Sequence, residues 1–150
     1  MIKLQWDSSL SVDIELIDQQ HREWIKHFNR VVDSIESHEG ASQIIKTLNF
    51  LVDYTDIHFS TEEKHMLKNK YPDIKEHKKQ HDELRCTLNN LTSEFHEEGP
   101  TNLLIDSIET LLNNWLIKHI QEVDKKFIDF VKENRIEISE QKSDKISNKK

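Results

Sequence analysis

The sequence predicts an all-α protein: an antiparallel up-down-up-down four-helix bundle with an irregular N-terminal arm and a disordered C-terminal tail. Glycine and proline, which end or begin helices, are confined to three junctions, at Gly40, Pro72 and the pair Gly99-Pro100. Between these junctions, apolar residues recur at spacings of three and four, as on the buried face of a helix. We call each such line of inward-facing positions a seam.

The junctions leave four segments for helices, at about residues 14–38, 41–69, 72–97 and 101–134. Short connections between them make neighbouring helices antiparallel. The first seam comprises Ile14, Ile17, His21, Trp24, Phe28, Val31 and Ile35. The second comprises Ile44, Leu48, Leu51, Thr55, His58 and Glu62. The third comprises Ile74, His77, His81, Leu84, Leu88, Leu91 and Phe95, and the fourth Ile105, Ile108, Leu112, Trp115, His119 and Val123.

The chain of 150 residues suits one domain with a sizeable core. We assign residues 1–135 to the bundle, including an arm that carries Trp6. The polar residues 136–150, ending EQKSDKISNKK, are predicted to be a disordered tail.

Net charge and cysteine content indicate which binding partners are disfavoured and which cellular compartment to expect. The net charge of −7 disfavours nucleic acid or an anionic membrane as the main partner. No run approaches the roughly 20 apolar residues of a membrane span, and the N-terminus lacks the apolar core of a signal peptide. The one cysteine, Cys86, permits a reducing compartment, so we predict a cytoplasmic protein.

Five histidines and one glutamate occupy seam positions, and all fall toward the same end of the predicted bundle. They are His21, His58, Glu62, His77, His81 and His119. Any one histidine would fit a core residue bonded to a backbone carbonyl, but a buried glutamate is rare unless it is paired or binds a metal. The His-x-x-x-Glu pair of residues 58 and 62 and the His-x-x-x-His pair of residues 77 and 81 each place two donors on one helix face. The pattern therefore predicts a metal site.

Several short motifs resemble the hemerythrin family, in particular its single-domain bacteriohemerythrins. They are the Trp6-Asp7 arm, DQQH ending at residue 21, HFSTEE at 58–63, YPDIKEHKKQH at 71–81 and WLIKHIQEVD at 115–124. The resemblance covers about residues 5–130.

This resemblance implies a non-haem di-iron site with an oxo or hydroxo bridge. One iron would be bound by His77, His81 and His119, the other by His21 and His58, with Glu62 and Asp124 bridging both. Asp124 is assigned by the resemblance alone. Five residues beyond His119, it would be turned about 140° away on an ideal helix, and a surface carboxylate is the alternative.

Neighbouring residues receive weaker assignments. Phe59, Trp115 and Leu116 are first of all core residues, and by resemblance would also line the ligand pocket. Glu63, one position off the seam, is expected to support the site from a solvated position rather than to bind metal. The remaining histidines are expected at the surface: His27, His38, His65 and His96.

The implied function is reversible dioxygen binding, as an oxygen carrier or store, rather than catalysis. The two-histidine iron has one ligand fewer and an open position, and a histidine-rich site should hold the ferrous state better than a carboxylate-rich one. The alternatives are sensing of oxygen, nitric oxide or redox state through a partner, and detoxification of peroxide or iron at the same site. Protein partners and the choice between monomer and homo-oligomer stay open.

Overall fold

The computed structural model describes residues 5–99 and 101–139, apart from the side chains at 109, 112 and 113. This part of the chain is all-helical, as predicted. The first three helices are α1 (Glu15–Glu36), α2 (Ala41–Lys68) and α3 (Ile74–Glu98). We call the following helical run, residues 102–133, α4. It comprises α-helical Asn102–Thr110, π-helical Leu111–Leu116 and His119–Asp124, and α-helical Lys125–Glu133.

The helices pack as a four-helix bundle, with α1 and α3 each in contact with both α2 and α4. None of the helices in the described ranges is both long and apolar enough to cross a membrane.

At two of the junctions, different kinds of residue adopt a positive φ after the helix. Gly99, just after α3, has a φ of 74°, which glycine adopts without steric cost, and its N–H donates to Phe95 O at 2.8 Å. The first junction lies at Gly40 as predicted, but Gly40 is not the residue with a positive φ. The left-handed residue there is His38, with a φ of 54°, whereas Gly40 has a φ of −60° and precedes α2.

The seams predicted for α1, α2 and α3 are confirmed. Every residue in them is buried except Ile14 and Ile74, which are half-buried. An uninterrupted α-helix keeps positions three and four apart on one face, so the apolar spacing located the core correctly.

The seam predicted for α4 is partly wrong, because Ile105, Trp115 and Val123 are only half-buried. Among the described side chains of this helix before Lys125, the buried ones are Leu104, Ile108, Leu116, His119, Ile120 and Asp124. Ile108 and His119 confirm the prediction, and the side chain of Leu112 lies outside the described residues. The two π-helical stretches, of which the first begins at Leu111, explain the differences at Trp115 and Val123, whereas Ile105 precedes both. Hydrogen bonds from i to i+5 widen the turn, so each stretch shifts the inward-facing positions along the sequence.

The interior consists of two apolar clusters with a polar layer between them. The large core includes Trp24, Phe28, Leu48, Leu88 and Ile108. The small core comprises Val12, Ile17, Met66, Tyr71, Phe127, Ile128 and Val131. Along α1, the small core (Ile17), the polar layer (His21) and the large core (Trp24) follow one another at successive turns. The polar layer is thereby closed off by apolar side chains on both sides.

The chain on either side of the helices also packs on the bundle. In the arm, Trp6 packs against the large core, and after α4 Ile136 and Ile138 pack against the small core. The backbone nitrogen of Ser139 lies 3.0 Å from His65 Nε2, and His65 is buried, so its expected surface position is wrong. Packing thus continues past residue 135. The rest of the predicted tail, residues 140–150, lies outside the described residues.

Candidate metal centre

The polar layer brings together seven buried side chains, contributed by all four helices. They are His21 from α1, His58 and Glu62 from α2, His77 and His81 from α3, and His119 and Asp124 from α4. Their donor atoms form two groups, in each of which the atoms lie within 4.8 Å of one another. One group holds three histidines, the other holds two, and Glu62 and Asp124 belong to both. The carboxylates therefore lie between the two sets of histidines.

Asp124 presents its two oxygens to different sets of histidines. Oδ1 lies 2.9 Å from His119 Nε2 and 3.0 Å from His77 Nε2. Oδ2 lies 3.0 Å from His21 Nε2 and 3.8 Å from His58 Nε2. This is the placement expected of a carboxylate that bridges two cations.

Glu62 approaches both sets through one oxygen. Its Oε1 lies 3.1 Å from His81 Nε2, 3.5 Å from His77 Nε2 and 3.7 Å from His58 Nε2. Because Glu62 follows His58 by one α-helical turn, the two side chains leave α2 on the same face.

The second π-helical stretch explains how Asp124 reaches the layer. It runs from His119 to Asp124, and in a π-helix residue i+5 returns toward the face of residue i. A regular α-helix would have turned Asp124 about 140° from His119. The structure instead places this residue, which apolar spacing did not identify, inside the cluster.

Three of the histidines are oriented by hydrogen bonds on their outer nitrogens. The Nδ1 atoms lie 2.8 Å from Gln20 Oε1 for His58, 2.8 Å from Glu63 Oε2 for His81 and 3.1 Å from Gln80 Oε1 for His119. Carbonyl and carboxylate oxygens only accept, so each Nδ1–H donates and each Nε2 carries its lone pair into the layer. This is the tautomer that a histidine needs to bind a metal through Nε2.

The buried side-chain atoms of the described chain that lack a hydrogen bond all belong to this layer. They are His21 Nδ1, His58 Nε2, both oxygens of Glu62, both ring nitrogens of His77, His81 Nε2, His119 Nε2 and Asp124 Oδ1. An unsatisfied buried polar atom costs about 1–3 kcal/mol. Imidazole nitrogens and carboxylate oxygens are suitable ligands for iron and related metals, so a bound metal pair fits these residues.

In the metal-free layer, burial and neighbouring charges shift the pKa values of several side chains. Burial, reinforced by the charge of Asp124, raises the pKa of Glu62 to about 7. Burial also acts to raise the pKa of Asp124, but the neighbouring histidines, led by His119, hold it well below its usual value. Burial opposes the charged form of His77, yet the carboxylates of Asp124 and Glu62 close to its Nε2 raise its pKa to about 10. Burial lowers the pKa of His81 well below its usual value.

Aromatic rings cover the histidines. Phe59 stacks on His81 with ring centroids 3.7 Å apart, and Trp115 stacks on His119 at 4.4 Å. The Trp24 ring lies 5.0 Å from that of His58. The predicted pocket residues Phe59 and Trp115 thus contact the layer.

Leu116 is fully buried in the large core. Its role as pocket lining stays a prediction.

Sequence reasoning missed the hydrogen-bonding residues Gln20 and Gln80, although it assigned Glu63 a supporting position. Each of the three is a chain neighbour of a cluster residue and reaches a histidine on another helix. A polar side chain directly beside an inward-facing donor was the available signal.

The fold and the layer together define a helical-bundle metal-binding protein. Residues 12–131 match the family model described as the hemerythrin HHE cation binding domain. The chain belongs to the hemerythrin family, which confirms the resemblance inferred from its motifs. That family binds a di-iron centre, and its members are oxygen-binding proteins rather than classical enzymes.

Similar proteins cover nearly the whole chain. A bacteriohemerythrin of Pseudomonas aeruginosa strain LESB58 is 30% identical over 144 residues, 96% of this chain and 92% of the relative. A myohemerythrin of Sipunculus nudus is 30% identical, over 81% of this chain and 88% of the relative. A crystal structure of wild-type hemerythrin superposes with a TM-score of 0.75 at 29% identity, covering 85% of this chain and 97% of that one.

Proposed function

We propose that this protein reversibly binds dioxygen at a di-iron centre and serves as an oxygen carrier or store. In this proposal His77, His81 and His119 bind one iron, His21 and His58 bind the other, and Glu62 and Asp124 bridge them. A ferrous pair held by these residues would supply the electrons that dioxygen takes up on binding.

The observation that carries the proposal is the inequality of the two donor groups. They share both carboxylates but contain three and two histidines respectively. The metal position in the two-histidine group therefore has one protein donor fewer, which leaves room there for a small external ligand.

The donor set favours reversible binding of dioxygen over cleavage of its O–O bond. Histidine nitrogens are neutral ligands, so the two carboxylates cancel only half the charge of two ferrous ions. The remaining positive charge opposes further loss of electrons. Phe59, Trp24 and Trp115 add an apolar cover that keeps water away from the histidine rings.

A binding role rather than turnover is supported by the groups around the histidines. The rings beside them are aromatic, and the polar side chains Gln20, Glu63 and Gln80 already accept hydrogen bonds from Nδ1 atoms. These neighbours orient the histidines and are engaged in doing so.

Anaerobic loading with Fe²⁺ followed by repeated exposure to and removal of oxygen tests the proposal. We expect two irons per chain and an optical change that reverses in each cycle. A matched pair of variants sharpens the test: His58→Ala should lose the response, whereas His96→Ala, at an exposed position, should keep it. Failure to return to the deoxygenated spectrum, or sustained turnover of added peroxide, would contradict a carrier function.

We also propose that the protein works in the cytoplasm. Cys86 is an exposed free thiol, which is compatible with a reducing compartment. Cell fractionation followed by detection of the native chain tests this, and recovery from the periplasm or the medium would contradict it.

A further inference from the structure

His81 and His58, one from each donor group, each donate a hydrogen bond through Nδ1. The acceptors of these two bonds differ in charge. His81, in the three-histidine group, donates to the Glu63 carboxylate at 2.8 Å. His58, in the two-histidine group, donates to the neutral amide oxygen of Gln20 at the same distance. A hydrogen bond to a charged acceptor is roughly twice as strong as one between neutral groups.

The neutral partner of His58 is held in its orientation. Thr61 donates its hydroxyl to Ile57 O at 2.9 Å, so its oxygen is left to accept from Gln20 Nε2 at 3.4 Å. That contact directs the Gln20 amide oxygen toward His58. His119, on the three-histidine side, has a similar neutral amide partner in Gln80, so Glu63 is the charged member among these three contacts.

Arg85 holds Glu63 in place without cancelling its charge. Its guanidinium lies 2.9 Å from Glu63 Oε2 and 3.3 Å from Oε1. The same guanidinium is shared with Asp82 at 2.9 Å and Asp56 at 3.2 Å, so three carboxylates compete for one positive charge. Glu63 therefore remains a strong acceptor for His81.

Arg85 also fixes the face of the imidazole. Its guanidinium carbon lies 5.2 Å from the centroid of the Phe59 ring. The His81 ring is stacked on Phe59 at 3.7 Å with an interplanar angle of 6°. His81 is thus held in its plane by Glu63 and across its face by Phe59, with Arg85 contacting both.

We propose that Glu63, positioned by Arg85, strengthens electron donation from His81 and so lowers the reduction potential of the metal in the three-histidine group relative to its neighbour. This inference rests on the proposed di-iron centre. A carboxylate that accepts from a metal-bound histidine raises the basicity of that ligand, which stabilises the more positive metal ion. The two metals are thereby unequal in potential as well as in ligand number. Glu63 and Arg85 are positioning residues.

The decisive variant is Glu63→Gln, because glutamine keeps the shape and an acceptor oxygen while removing the charge. Gln20→Glu is its counterpart at the other metal, and Glu76→Gln removes an exposed carboxylate from α3 as a control for the general field. A merely structural role for Glu63 would be rescued by glutamine.

Metal affinity gives a readout that needs neither iron nor oxygen. In Co²⁺ titrations of the metal-free protein against a chelator, we expect Glu63→Gln to weaken one of the two binding steps by about 10–100-fold. Gln20→Glu should strengthen the other step, and Glu76→Gln should change neither. Equal affinities for the wild type and Glu63→Gln would overturn the proposal.

Redox titration of the iron-loaded protein supplies the second readout. Glu63→Gln should raise the potential of one one-electron step, by about 59 mV for each tenfold loss of relative stabilisation. In the Mössbauer spectrum, one of the two iron signals should change more than the other. If the potentials shift while reversible oxygen binding fails in every variant, the proposed function falls and this inference stands. If oxygen binding is reversible but the potentials are unchanged, the inference falls alone.

Discussion

The large core and the polar layer lie in the same bundle, yet they treat buried polar groups in opposite ways. In the large-core half, the Ser34 hydroxyl oxygen lies 2.8 Å from Val31 O and that of Thr47 lies 2.7 Å from Ile44 O, and either hydroxyl can donate to the other. These two hydroxyl oxygens lie 3.2 Å apart. In the layer, nine buried side-chain atoms of the described residues have no hydrogen bond. The hydroxyl groups of the large core thus have hydrogen-bond partners within the protein, whereas these nine atoms of the polar layer do not.

This difference assigns the two regions different physical roles. The large core buries aromatic and aliphatic side chains from all four helices and stabilises the fold. The layer gathers two carboxylates and five imidazoles at a free-energy cost that the rest of the bundle must offset. Changes in the part of the large core that does not touch the histidines should therefore affect stability alone, while changes in the layer should affect stability and metal binding together.

Metal loading should produce the largest effect, because it satisfies the layer directly. At a metal concentration 1,000 times Kd the folded state gains about 4 kcal/mol. For a domain of this size, that gain raises the midpoint of thermal unfolding by about 8–16 °C. Calorimetry of chelator-treated protein with and without Co²⁺ measures the shift.

Mg²⁺ is the matched control, since it prefers oxygen ligands to imidazole. It should leave the melting temperature almost unchanged. Equal midpoints with and without Co²⁺ would remove the distinction between the two regions.

Truncation within the large core should cost nearly as much without touching the metal. Leu48 is buried in the large core, so Leu48→Ala should lower the free energy of unfolding by about 3 kcal/mol. The exposed Leu103 offers the matched substitution, and Leu103→Ala should change stability by less than about 0.5 kcal/mol. Both variants should still bind two metals per chain, as measured by elemental analysis. Loss of metal from Leu48→Ala would show that the two regions are not independent.

The same contrast separates what the sequence predicted from what it did not. Uninterrupted apolar spacing identified the seams of α1 to α3 and six of the seven cluster residues, among them His21 and Glu62. It did not identify Asp124 in α4, because the π-helical stretch His119–Asp124 changes the helical period and the spacing of apolar residues does not reveal that change. Gln20, Gln80 and Arg85 were missed for another reason. Their roles depend on which helix lies alongside, and the periodicity of a single helix carries no information about its neighbour.

Removing one charge from the metal-free layer should have a smaller, pH-dependent effect. The pKa of Glu62 rises from 4.5 to about 7 because the side chain is buried beside Asp124. Below pH 4.5 the carboxyl is protonated in both the folded and the unfolded chain and makes no difference to stability. As the pH rises from 4.5 to 7 the unfolded chain releases this proton first, so the folded state loses stability.

Glu62→Gln should escape this loss. Its stability advantage over the wild type should grow from near zero at pH 4.5 to about 3 kcal/mol above pH 7, at ~1.4 kcal/mol per pKa unit. Urea unfolding of both metal-free proteins across this range measures the difference. Glu76→Gln, at an exposed position, should give a curve parallel to that of the wild type. If the stability of Glu62→Gln also ran parallel to that of the wild type across this pH range, ionisation of Glu62 would not destabilise the folded state.

The smallest effect is expected where buried polar groups already satisfy one another. Ser34→Ala alone should lower the free energy of unfolding by about 1 kcal/mol, because the Thr47 hydroxyl loses a neighbour at 3.2 Å. Combining it with Thr47→Val should recover much of that loss, since removing both hydroxyls leaves neither without its neighbour and keeps the shape of the side chains. Urea unfolding of the single and double variants measures the coupling. A double variant less stable than the sum of the singles would mean that this region, too, depends on its polar groups.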